Sequence, residues 1–293
     1  MQPTDVSFVL GAGVLLGVVQ GISEWLPVSS KTQVLIVSSL FLGLSFNEGY
    51  ALGLFLEIGS FVAATIYFRR EVWMVLRSLV GRGTKEGVLL LKYLVVLTVI
   101  TGFMGVAIYV AVSSLNLGSA IGIPMIVLGC ILILDGLLIS VSRSRYTPRL
   151  TLQTMSLKDL VAIGFAQGLA AFPGVSRSGV TVSSMLLLGT DGKDAFRLSF
   201  LALIPASLGA TAVTLVFSRQ EISGGISALS PATVLLAIAV TAVVGLLTIR
   251  WLLRVASTER ITTLVFALGI LAIIGGTLGL LFGASAGAGA SGS

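Results

Sequence analysis

The sequence predicts an all-α polytopic membrane protein made of two inverted-topology repeats, each a re-entrant helical hairpin plus three transmembrane helices. Three observations carry that prediction: an apolar composition, a one-sided distribution of basic residues, and a polar motif that occurs twice. Of 293 residues, 56% are hydrophobic and only 10% are charged, where soluble domains run near a quarter charged. One soluble core of this size could not hide so much apolar surface.

Taken in order, segment 6–44 is apolar at both ends and interrupted by Glu24, Pro27, Ser29, Ser30 and Lys31. A charge at the bilayer centre costs at least ~2.5–3.5 kcal/mol. Irregular backbone at that depth is tolerated only inside protein or beside a wet cavity. The segment therefore reads as a hairpin that enters and leaves on one side. Spans follow at about 50–68, 88–112 and 117–142, each of membrane-crossing length. Segment 158–190 is a second hairpin, interrupted by Pro173, Gly174, Ser176, Arg177 and Ser178. Three more spans follow at about 195–218, 229–249 and 261–282. The repeats are thus 1–145 and 146–282, and 283–293 is a Gly/Ala/Ser tail expected to be flexible.

Residues 69–92 hold six Lys/Arg, 143–158 hold four and 250–260 hold three, so 13 of the 18 basic residues fall in three places. With six spans and two re-entrant hairpins, all three places lie on one side. The positive-inside rule makes that side cytoplasmic and puts both termini outside, in the plasma membrane. The net charge of +6 is explained by these loops, and no nucleic-acid partner is expected. No cleavable signal peptide is evident. There is no histidine, which excludes His-based acid–base chemistry and His-ligated metals. A single cysteine, Cys130, excludes a disulfide framework.

The interruptions match each other. One runs Gln20-Gly21 through Trp25, Pro27 and Val28-Ser29-Ser30; the other runs Gln167-Gly168 through Phe172, Pro173 and Val175-Ser176-Arg177-Ser178. Each precedes three spans, so the two halves point in opposite directions. Inverted repeats with broken helices meeting at mid-membrane characterise many transporters. Facing tips would gather Glu24, Ser29, Ser30 and Lys31 with Ser176, Arg177, Ser178 and Thr181. That set suits an anion. Arg presents a planar fork to phosphate, and helix N-termini add N–H groups. Glu24 is a base or a divalent-cation ligand, and a serine next to a base can attack phosphorus. Each has a plainer reading. The serines are also helix caps, and Arg177 and Glu24 are also a structural pair. Glu57, within an apolar span, is either a further site carboxylate or a packing partner of a basic residue. Asp135 reads as structural.

Gln20, Glu24, Pro27, Ser29 and Ser30, with Pro173, Gly174, Ser176, Arg177, Ser178 and Thr181, resemble the two signature motifs of the undecaprenyl-diphosphate phosphatase family of the bacitracin-resistance type. The resemblance spans about 8–280. It implies removal of the terminal phosphate from a polyprenyl diphosphate lipid, regenerating a lipid carrier. It also implies a divalent cation (Mg or Ca) held in part by Glu24. Glu24, Ser30 and Arg177 would be catalytic. Gln20, Ser29, Lys31, Gln33, Ser176, Ser178 and Thr181 would bind substrate, with Glu57 as an additional residue. The chain departs from the family where Gln33 stands in place of a histidine considered catalytic, and where Lys31 replaces a small residue. Gln cannot take up a proton near neutral pH. The alternative function is therefore a polyprenyl-phosphate flippase that binds without hydrolysis. The variant looks like an archaeal-type branch with a dolichol-like carrier. Beyond the substrate and membrane lipids, a homodimer is left open as a partner.

Overall fold

The computed structural model describes residues 5–26, 28–114, 149–172 and 174–256, with scattered helical positions within 126–141 and 263–277. Pro27, Pro173, Asp135, the tail 283–293 and most of the spans expected at 117–142 and 261–282 lie outside the described residues. The rest is helical: α1 (Val6–Ser23), α2 (Ser30–Leu42), α3 (Phe46–Tyr67), α4 (Arg69–Leu79), α5 (Lys85–Ser113), α6 (Leu157–Gly168), α7 (Arg177–Leu187), α8 (Gly192–Phe217), α9 (Arg219–Leu229) and α10 (Pro231–Ala256). A single 3-10 turn, Leu169–Ala171, follows α6.

By length and composition α1, α3, α5, α8 and α10 can each cross a membrane, and the chain is a multi-pass membrane protein. Its outer surface agrees: Phe103 is 80% exposed, Leu247 73% and Leu235 67%. The expected spans at 50–68, 88–112, 195–218 and 229–249 correspond to α3, α5, α8 and α10, with ends shifted by a few residues. Two helices were not expected. α4 and α9 are short and amphipathic, and α4 has no buried residue.

α1 has 18 residues, about 27 Å at 1.5 Å per residue, so length alone would let it cross. The helix ends at Ser23, and α2 begins at Ser30. Three glycines bring α1 against α10. A Cβ at Gly13, Gly17 or Gly21 would lie 2.6–3.0 Å from α10 atoms such as Thr233 O, Val240 Cβ and Thr241 O. Small residues four apart permit this approach. Gly13 thus sets the start of α1 beside the start of α10. The start of α3 lies at the same end, since Glu48 approaches Gly224 of α9. At the opposite end, Arg197 of α8 meets Glu71 of α4 at 3.0 Å and Glu86 of α5 at 3.8 Å. Leu150 bridges Thr190 beside the starts of α6 and α8.

Between these ends the core is apolar above and below a polar middle. One cluster joins Trp25 to Phe196, Phe200, Tyr93 and Phe68. Trp25 is fully buried and meets Phe200 edge-on at 5.2 Å, which anchors the first break. Two smaller clusters, around Leu16 and Leu56 and around Tyr50 and Tyr109, lie on the other side.

Candidate functional site

The two breaks in the helices meet. Ser178 Oγ donates to Leu26 O at 2.9 Å, and Gly174 N donates to Thr32 Oγ1 at 3.0 Å. Lys31 Nζ reaches Val175 O at 3.2 Å. Each tip holds one residue in left-handed backbone: Ser29 with φ 55° and Gly174 with φ 97°. Gly174 adopts this freely, having no Cβ. Ser29 is a non-glycine exception, and its Oγ pairs with Thr32 Oγ1 at 2.9 Å. Beyond the tips, α2 begins at Ser30 and α7 at Arg177. Two helix N-termini, with their positive dipole ends, therefore converge on one point.

Glu24 is at the centre and is buried. Its Oε2 accepts from Ser30 Oγ at 2.5 Å and from Gln20 Nε2 at 2.6 Å. Its Oε1 is bound by Arg177 Nη2. Arg177 also lies 4.0 Å from Glu57 Oε2, and its Nη1 donates to Leu203 O at 3.3 Å and Ser207 Oγ at 3.5 Å. Glu57 is the twelfth of 22 residues in α3, and Leu203 the twelfth of 26 in α8. The cluster therefore sits at mid-height of two membrane-length helices. Two carboxylates and two cations, Glu24, Glu57, Arg177 and Lys31, leave it close to neutral. A buried ensemble of this kind is tolerated only when paired and hydrogen-bonded.

Two cavities adjoin it. One, of about 10 Å³, lies among Glu24, Ser29, Ser30, Ser176 and Ser178. The other, of about 140 Å³, runs between α3, α5, the turn after α6, and α8. Its walls include Tyr50, Gly102, Gly105, Tyr109 and Gly209. Lys31, Glu57 and Arg177 line both cavities and so form the wall between them. An apolar space with a charged floor suits an amphiphile.

Most residues expected at the site come together: Gln20, Glu24, Ser29, Ser30, Lys31, Glu57, Ser176, Arg177 and Ser178. Three of the residues expected to bind substrate, Gln20, Gln33 and Thr181, line neither cavity. Gln33 Nε2 donates to Val28 O at 3.1 Å and braces the first tip. Thr181 Oγ1 bonds Arg177 O at 2.6 Å and Gln167 Oε1 at 3.3 Å, within the second hairpin. Sequence reasoning missed Ser60, which faces Gln20 at 3.5 Å, and Ser207. It also missed Gln167, which donates to Thr101 at 3.1 Å. Gln167 had a signal, since it matches Gln20 in the repeat; a lone serine in an apolar helix has none.

For a cation, the donors are all oxygen. Among the described residues no three Asp, Glu, His or Cys side chains cluster. Mg²⁺ commonly takes only one or two carboxylates and completes its shell from substrate phosphate and water. Glu24 and Glu57 supply that number. Beside them Gln20 Oε1 is buried with no hydrogen-bond partner, a vacant oxygen donor. The residues fit a hard cation that arrives with a phosphate.

Comparison with known proteins gives a consistent result. Residues 13–274 match the family described as bacitracin resistance protein BacA. A protein of Saccharolobus solfataricus named undecaprenyl-diphosphatase is 52% identical over 267 residues, covering 91% of this chain and 95% of that one. Its namesake in Sulfurisphaera tokodaii is 47% identical over 270 residues, covering 92% and 97%. Another in Pyrobaculum aerophilum is 42% identical over 275 residues, covering 93% and 99%. The chain belongs to the bacitracin resistance protein BacA family.

Proposed function

We propose that the chain is an integral membrane undecaprenyl-diphosphatase-type enzyme, cleaving the terminal phosphate from a polyprenyl diphosphate. The observation that carries this reading is the 2.5 Å contact from Ser30 Oγ to Glu24 Oε2. That contact supports a hydroxyl nucleophile served by a carboxylate base in a chain without histidine. The flippase reading draws on the inverted repeat and the opposed hairpins, and on Gln33 standing where the family has a histidine. Glu24 supplies the proton acceptor that Gln33 cannot.

The lipid diphosphate enters from the 140 Å³ cavity, with its chain along the apolar walls. Arg177 exchanges Glu24 for phosphate oxygens, and Lys31 adds a second cation. Ser30 Oγ gives its proton to Glu24 and bonds to the terminal phosphorus. The bond from that phosphorus to the bridging oxygen breaks, and the monophosphate leaves with the proton from Glu24. Water then attacks the phosphoserine, giving its proton to Glu24 and releasing phosphate; Ser30 recovers its proton. Charge grows on the transferring oxygens, where Arg177 and the N-termini of α2 and α7 stabilise it. Glu24, Glu57 and Gln20 would hold a divalent cation, which supplies neutralisation of phosphate charge.

Around this centre, residues 1–145 and 146–282 form two inverted repeats. Each begins with a hairpin, α1–α2 or α6–α7, that returns to its own side. The basic end is cytoplasmic and the site opens outward. The meeting of the two tips at mid-height supports this arrangement.

The test is phosphate release by purified protein in detergent from a polyprenyl diphosphate, with and without Mg²⁺ or Ca²⁺. Release is expected to require the cation and to be abolished by Ser30→Ala and Arg177→Ala. No release above background, with lipid phosphate still bound, would sink the enzyme reading and leave a carrier.

A further inference from the structure

The basic end of the molecule contains a third cavity. About 560 Å³ in volume, it is walled by Arg69 and Arg70 of α4, Lys193 and Arg197 of α8, and Arg250 and Arg254 of α10. Glu71 is the one acid among its described lining residues, and it is bonded to Arg197 at 3.0 Å. Basic residues at a membrane edge need no special role; orientation alone accounts for them. Orientation, however, does not require cations from three distant segments to enclose one concavity.

A fourth cavity adjoins it. This apolar groove of about 450 Å³ runs between α4, α5 and α8, among Val72, Val75, Leu76, Leu94, Leu201 and Leu208. Glu71 lines both the basic cavity and the groove. Thr98 and Pro205 line both the groove and the 140 Å³ cavity. The groove thus lies between the basic cavity and the 140 Å³ cavity, sharing one wall residue with the first and two with the second. Trp73 of α4 and Trp251 of α10 are 61% and 59% exposed. Tryptophan favours the level of lipid headgroups, so this end lies where a headgroup would be.

We propose that the basic cavity is a second binding site, taking the headgroup of a phosphomonoester lipid whose chain lies in the α4–α5–α8 groove. Leaving Arg254 aside, four described cations, Arg69, Arg70, Lys193 and Arg250, stand beside the Glu71–Arg197 pair, and a dianionic phosphomonoester balances more of that charge than a phosphodiester does. The groove selects a lipid over free phosphate. The site is separate from the Glu24–Arg177 centre and does not depend on hydrolysis there. A lipid monophosphate released at that centre is of the same chemical class.

The test is quenching of tryptophan fluorescence by brominated phosphatidic acid, against brominated phosphatidylcholine, in detergent-solubilised full-length protein. Wild type is expected to prefer phosphatidic acid at least tenfold. The double variant Arg250→Gln/Arg254→Gln should lose that preference at least tenfold, and Arg177→Ala should keep it. Should the double variant misfold, Lys193→Gln, at an exposed position, should weaken binding two- to threefold. Inorganic phosphate at millimolar concentration should not displace the lipid. The proposal is overturned by equal quenching from both lipids, or by binding lost in Arg177→Ala but kept in the basic-cavity variants. Displacement by inorganic phosphate would overturn the lipid assignment.

Discussion

Glu24 and Ser30 are six residues apart, about 600° in a continuous helix, and so would lie 120° apart on its surface. They touch because the helix stops at Ser23 and restarts at Ser30. The break brings the proposed base and nucleophile together. Glu24→Gln keeps the shape and removes the proton acceptor. Turnover should fall by ~10²–10⁴ while lipid diphosphate still binds; phosphate release and binding on the same preparation check it. Unchanged turnover would dismiss Glu24 as the base. Gly174→Ala asks a different question. At φ 97° a Cβ costs ~1–2 kcal/mol, and the N–H bond to Thr32 holds that backbone in place. Thermal unfolding should shift down by that amount, and a wild-type melting curve would mean the second tip relaxes without cost. Glu24, Ser30 and Arg177 were legible in the sequence because charge and hydroxyls in an apolar run demand partners. The bracing role of Gln33 was not, because position in a motif does not reveal which way an amide turns. Ser207 was not either, since nothing in the sequence distinguishes it from a serine bonded to its own helix.

At the level of elements, the long apolar helices are readable from length and composition, whereas the charge density over α4 predicts a loop. Arg69, Arg70, Glu71 and Arg77 outweighed the helical spacing of Val72, Val75, Leu76 and Leu79, which marks a helix lying at a boundary. The packing of α3, α5 and α8 around a hollow could not be read at all, because periodicity locates a face and not its partner. The hollow depends on small residues. A Cβ at Gly102 or Gly209 would meet nothing within 4 Å, and both line the 140 Å³ cavity. Gly209→Leu would put a side chain into the space assigned to the lipid chain. The expected result is a rise in KM of tenfold or more for a long-chain diphosphate, with little change for a water-soluble short-chain analogue. Equal loss on both substrates would mean the variant disturbs Arg177 through Ser207 instead of blocking the chain.

Over the whole molecule, the proposed inverted arrangement would bring two helix N-termini and one cation from each break, Lys31 and Arg177, to the same depth from opposite directions. A single hairpin could present only one such terminus to a diphosphate. The arrangement has a consequence that separates it from a chain in which α1 simply crosses. If α1–α2 returns to its own side, Asp5 and Ser45 share one face of the membrane, and Gln153 and Asp191 share the other. Cys130 is the one native cysteine and is exposed, so its replacement by alanine gives a clean background for single cysteines at these four exposed positions. In right-side-out vesicles, an impermeant thiol reagent should label Asp5→Cys and Ser45→Cys, and should reach Gln153→Cys and Asp191→Cys only after permeabilisation. Labelling of Asp5→Cys and Ser45→Cys from opposite faces would show that α1 spans the bilayer. The Glu24–Arg177 cluster would then lie near a surface, where water weakens the pairing of its charges and where the lipid's phosphates could arrive without crossing apolar ground.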